Sequence, residues 1–163
     1  MTGRVLFVSR SSSNPEEDIQ FQTEKLIADE LAKSFDLESS FDLSHVHSAR
    51  IASEFRKGKR FEAMVTHIPP VNGNSLVPRF VHETRQQYFH RCYEDSLSVL
   101  REVKLADSCI AVIGYSSAII DEDSTKVFIG SGLVNEVVSK SHPEKWLRDY
   151  EKISFALRRY VGA

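Results

Sequence analysis

The chain has 163 residues, 41% of them hydrophobic and 27% charged, enough apolar mass for one core of ordinary size. Its formal net charge of -2 and pI of about 6.3 leave no basic surplus of the kind that nucleic-acid binding demands. No stretch approaches the ~20 apolar residues of a membrane helix, and the amino-terminal run is too short for a signal peptide. A cytoplasmic location without membrane or nucleic-acid partners is the expectation.

In chain order, Arg4–Ser9 (RVLFVS) is a short apolar run rich in β-formers and reads as a buried first strand. Asn14 as cap, Pro15 at the first helical position and the acids Glu16, Glu17 and Asp18 predict a helix start. Ile19, Thr23, Leu26, Ile27, Leu31 and Phe35 then define its apolar face. A short second strand is expected around Phe41–Val46. Ser48 caps a second helix carrying Ile51, Ala52 and Phe55, which stops at Gly58. The basic cluster Arg56, Lys57, Lys59 and Arg60 follows it, where cations complement the helix dipole.

Phe61–Ile68 (FEAMVTHI) is the next strand, closed by Pro69-Pro70 and followed by an Asn72-Gly73 turn. Pro78 opens a long helix to about Lys104, with Val81, Thr84, Tyr88, Cys92, Val99 and Val103 at helical spacing. Its further aromatics Phe80, Phe89 and Tyr93 suit a surface for a protein partner or for self-association as a dimer. Ser108–Gly114 (SCIAVIG) is a continuous apolar strand, as at the centre of a parallel sheet. Lys126–Ile129 reads as another strand, and Leu133–Ser139 as strand or helix. Ser141, Pro143 and Glu144 form a capping box with proline at the first helical position. The helix that follows offers Trp146, Leu147, Tyr150, Ile153, Leu157 and Val161 to the core. Cys92 and Cys109 show no metal-binding or redox spacing and read as buried thiols. His45, His47, His82, His90 and Cys92 lack the tight spacing of a structural zinc site.

This alternation predicts one α/β domain over residues 1–163, a doubly wound and mostly parallel sheet flanked by helices. Ligands of such sheets bind outside the carboxyl ends of the strands. That rule selects Ser9, Arg10, Thr66, His67, Gly114, Tyr115 and Ser116. The set is hydroxyl-rich and basic rather than acidic, which suits a small anionic or neutral polar ligand and not a divalent metal.

Taken in order, RVLFVS, FRKGKRFEAMVTHIPPVNG, CIAVIGYSS and VVSKSHPEKWL resemble the receiver domain of bacterial response regulators, a flavodoxin-like fold. The resemblance covers most of the chain, through short motifs of common residues and with longer intervals than the family norm. It implies two acids after the first strand, a phosphoacceptor aspartate after the third, a hydroxyl after the fourth and a lysine after the fifth. Here Ser9 and Arg10 stand in place of the acids, His67 in place of the aspartate, and Ile113 or Gly114 in place of the hydroxyl; Lys140 alone is kept. A receiver holds Mg²⁺ through its carboxylates and takes phosphate on one of them. The departures therefore imply a pseudo-receiver without cofactor or catalytic residues, acting in signalling by binding, with Arg10, His67 and Lys140 lining a vestigial pocket. A second resemblance, of LADSCIAVIGYSS and DEDSTKVFIGSGLVNEV to nucleoside deoxyribosyltransferases, implies instead Glu136 as a carboxylate nucleophile and Asp121 or Asp123 as substrate ligands.

Overall fold

The computed structural model describes residues 3–8, 16–40, 60–68, 80–84, 87, 100–116 and 130–162. Five strands form one sheet: β1 (Arg4–Val8), β2 (Asp36–Ser40), β3 (Ala63–Ile68), β4 (Ala111–Ser116) and β5 (Glu136–Ser139). Their spatial order is β2-β1-β3-β4-β5, and every pairing is parallel. This is the flavodoxin-like doubly wound order, whose switch point lies between β1 and β3. Val5–Val8 are all buried, since both faces of a central parallel strand are covered.

Successive residues of each strand point to opposite faces, which makes two cores. On one face Val5, Phe7, Val65, Ile113 and Val138 pack beneath helix α1 (Ile19–Leu31) and the C-terminal helix α2 (Trp146–Tyr160). On the other, Leu6, Val8, Met64 and Val112 meet Leu100 and Val103 of a helical segment at residues 100–106.

Several sequence expectations need correction. The second strand lies at Asp36–Ser40, earlier than foreseen; Phe41–Val46 falls outside the described residues. DLESS is a polar edge strand, held in register by Arg4↔Asp36 pairing with side-chain contacts from Arg4 to Asp36 (3.7 Å) and Glu38 (3.2 Å). Helix α1 starts at Ile19, capped by Asp18, whose Oδ1 accepts from the Phe21 N–H at 3.0 Å. Its buried stripe is Phe21, Glu24, Ile27, Ala28 and Leu31, leaving Ile19 and Leu26 exposed.

The long helix does not open at Pro78. Residues 80–84 are non-helical, and Thr84 and Gln87 form a reciprocal capping box. The Gln87 N–H donates to Thr84 Oγ1 at 3.1 Å, and the Thr84 N–H donates to Gln87 Oε1 at 3.0 Å. Leu133–Ser139 resolves as turn and strand: Gly132, at φ 74°, supplies the left-handed residue of the turn. Asn135 then binds Val112 through both its N–H and its side-chain oxygen, each at 2.8 Å, and sets the start of β5. His142 rather than Ser141 caps the 3-10 turn Pro143–Lys145, accepting from the Glu144 N–H. In α2, Leu147 is exposed and Asp149 is buried. Cys109 is an exposed thiol; Cys92, the helix from Ser48 to Gly58 and the strand at Lys126–Ile129 lie outside the described residues.

Candidate binding site

The carboxyl ends of the strands lie side by side, through the pairs Val8↔Thr66, Thr66↔Gly114 and Gly114↔Val137. His67 pairs with Tyr115, and Ser116 lies between Ile68 and Ser139. Ser9 and Arg10 fall outside the described residues. Alternation divides the remaining predicted set. Thr66 shares the parity of Met64, whereas Tyr115 belongs to the core under α1 and α2. Thr66 and Tyr115 therefore serve opposite faces of the sheet.

On the α1–α2 face the structure brings together two predicted residues, Tyr115 and Lys140, and two that sequence reasoning missed, Glu24 and Asp149. Lys140 follows β5 directly and turns toward α1. Its Nζ lies 3.2 Å from Glu24 Oε1, with the lysine side chain 9% and the glutamate 2% exposed. The same ammonium stands 4.9 Å from the centre of the Tyr115 ring. The Tyr115 hydroxyl donates to Asp149 Oδ2 at 2.6 Å. Asp149 also accepts from the Ser141 N–H, at 3.0 Å to Oδ2 and 3.2 Å to Oδ1. Burial first, then the bond to Asp149 and the charges of Asp149 and Glu24, push the Tyr115 phenol far above its ordinary range. It is a fixed donor at every physiological pH.

Glu24, Tyr115 and Lys140 line a cleft of about 250 Å³. Helix α1 contributes Gln20, Thr23 and Glu24 as walls, β4 contributes Tyr115, and the loop after β5 contributes Lys140 to Pro143. Both Glu24 and Asp149 left a trace in the sequence: each sits at i−3 or i−4 to a buried apolar residue, Glu24 before Ile27 and Ala28, Asp149 before Ile153. A charge inside an apolar stripe is the signal.

The residues of the glycosyl-transfer alternative are not gathered there. Glu136 opens β5 beside Ile113, is bonded to Arg159 of α2 and does not line the cleft. Asp121 and Asp123 lie outside the described residues, and no group of three metal-ligating side chains occurs among the described ones.

No protein-family model matches the chain, and no curated protein matches it in sequence. Solved structures do. An adenylate cyclase from Rhodopirellula baltica is similar over 96% of each chain, with a TM-score of 0.52 and 10% identity. A response regulator from Desulfuromonas acetoxidans is similar over 95% of this chain and 98% of that one, with a TM-score of 0.51 and 10% identity. The fold is that of a receiver domain. At such identity the likeness speaks of fold alone. Lys140 follows the fifth strand, and it points into an ion pair with the first helix.

Proposed function

We propose that this chain is a receiver-fold signalling module that works by binding, with the phosphotransfer chemistry of the resembled family lost. The observation that carries the reading is the engagement of Lys140, the one residue kept from the family's set, with Glu24 and the Tyr115 ring. A lysine that serves phosphoryl chemistry must reach the phosphoryl oxygens. This ammonium instead neutralises a carboxylate buried in α1. The sequence also has Ser9-Arg10 and Thr66-His67 where carboxylates would be needed. One domain over residues 1–163, a cytoplasmic location and a protein partner or self-association through the Pro78–Lys104 region belong to the same proposal.

The test is incubation with acetyl phosphate and Mg²⁺ followed by intact-mass measurement. The unmodified mass is expected throughout. An added phosphoryl group on a carboxylate would overturn the reading. Among the described residues the cleft does not gather the glycosyl-transfer set, because Glu136 is held by Arg159 at the opposite end of β5 from Lys140.

A further inference from the structure

Two charged side chains more than nine-tenths buried at the floor of an open cleft are unusual, since buried ions are costly unless paired. Glu24 and Lys140 are such a pair, and the cleft above them has a volume of about 250 Å³. That is below the ~300–1,000 Å³ of pockets for drug-sized ligands, so it suits a smaller molecule. We propose that the cleft between α1 and the loop after β5 binds a small zwitterion of the α-amino-acid class. The proposal deepens the binding-module reading and rests on it for the place of the site.

The charge pattern selects this class. A lone anion approaching Lys140 also meets Glu24, 3.2 Å from the ammonium, and the carboxylate of Asp149 behind Tyr115. A lone cation approaching Glu24 meets Lys140 at the same short range. A ligand with both charges lies antiparallel to the Glu24–Lys140 dipole, its carboxylate toward Lys140 and its ammonium toward Glu24, and adds no net charge to a low-dielectric floor. The walls supply neutral hydrogen-bonding groups. Thr23 Oγ1 donates to the Ile19 carbonyl at 2.7 Å, which keeps its oxygen an acceptor toward the cleft. His142 Nδ1 accepts from the Glu144 N–H at 3.4 Å, which places the proton of the neutral ring on Nε2. The imidazole is thereby a donor suited to a carboxylate oxygen.

The full chain, labelled with ¹⁵N, is titrated separately with glycine, L-serine, L-glutamine, acetate and methylammonium, and read by amide NMR. Saturable shifts at Thr23, Ser141 and His142 are expected with at least one amino acid, and none with acetate or methylammonium at equal concentration. The rim variants Thr23→Val and His142→Ala leave the ion pair intact, and each spectrum reports whether the variant is folded. Each is expected to weaken the amino-acid response about tenfold. Equal response to acetate or to methylammonium alone, no response to any of the amino acids, or shifts unaffected by both variants would overturn the proposal. Phosphoryl uptake is read independently by mass, so failure here is distinguishable from failure of the binding-module reading.

Discussion

Replacing Glu24 with glutamine removes the charge that faces Lys140 while keeping the size and helical propensity of the side chain. At the observed 3.2 Å, and at an effective dielectric of ~20, the attraction is about 5 kcal/mol. Truncating one partner of a buried pair costs about 3–5 kcal/mol, because the remaining charge stays buried without its counterion. For a chain of this length each kcal/mol lowers Tm by roughly 2–4 °C, so a fall of about 6–20 °C is expected. Lys140→Met should lose a similar amount, since it strands the carboxylate. The double variant Glu24→Leu/Lys140→Met should recover to within about 1 kcal/mol of the parent or exceed it, because an apolar pair of similar volume replaces the ions without their desolvation cost. Urea unfolding of the parent, Glu24→Leu, Lys140→Met and the double variant gives the cycle, with an unchanged m-value as the control that the unfolded state is the same. Single losses below about 1 kcal/mol that simply add in the double variant would show an exposed pair of ordinary strength and refute the argument.

Tyr115→Phe keeps the ring beneath Lys140 but removes the donor to Asp149; it should cost about 1.5–3 kcal/mol in urea unfolding. The raised Tyr115 pKa makes stability pH-dependent on the alkaline side. Its contribution is complete below the unfolded value near 10 and falls above it by up to about 1.4 kcal/mol per pH unit. Absorbance at the tyrosinate band should therefore show one phenol that ionises only as the protein unfolds, and Tyr115→Phe should flatten the decline. Asp18→Ala removes the α1 cap and should cost about 1 kcal/mol, with faster amide exchange at Phe21 as the local readout. Thr84→Ala should speed exchange at Gln87 in the same way, through loss of its capping box.

Strands β1, β3 and β4 were legible because both of their faces are covered, which gives each a stretch of consecutive buried apolar residues, at 5–8, 63–65 and 110–113. The doubly wound, mostly parallel sheet followed from how they alternate with helices, whereas the order β2-β1-β3-β4-β5 came only from the strand pairings. Strand β2 was not legible: at the sheet's edge it carries Asp36, Glu38 and two serines, and its place comes from pairing with β1 and from Arg4. The position of Lys140 after the last strand came from the receiver resemblance, because Leu133–Ser139 by itself reads as strand or helix. Its partner was missed, because glutamate on a helix ordinarily faces water; the trace at Glu24 gains its meaning from the register of α1 over the sheet, which puts it in one stripe with Phe21 and Leu31. Asp149 was hidden likewise, on an α2 face whose buried residues are Ile153, Ala156 and Leu157 rather than Leu147. Thr66 and Tyr115 were both correctly placed near strand ends, yet strand alternation sends them to different sides.

The most direct measurement of the central claim is the amide NMR spectrum of the intact chain, recorded with Mg²⁺ and beryllofluoride, a mimic of the phosphoryl group on a carboxylate. If Lys140 is committed to Glu24 and the strand ends lack acids, the spectrum should not change. A second, slowly exchanging set of signals around β3, β4 and Lys140 would mean that the phosphoryl site survives, and would contradict the account.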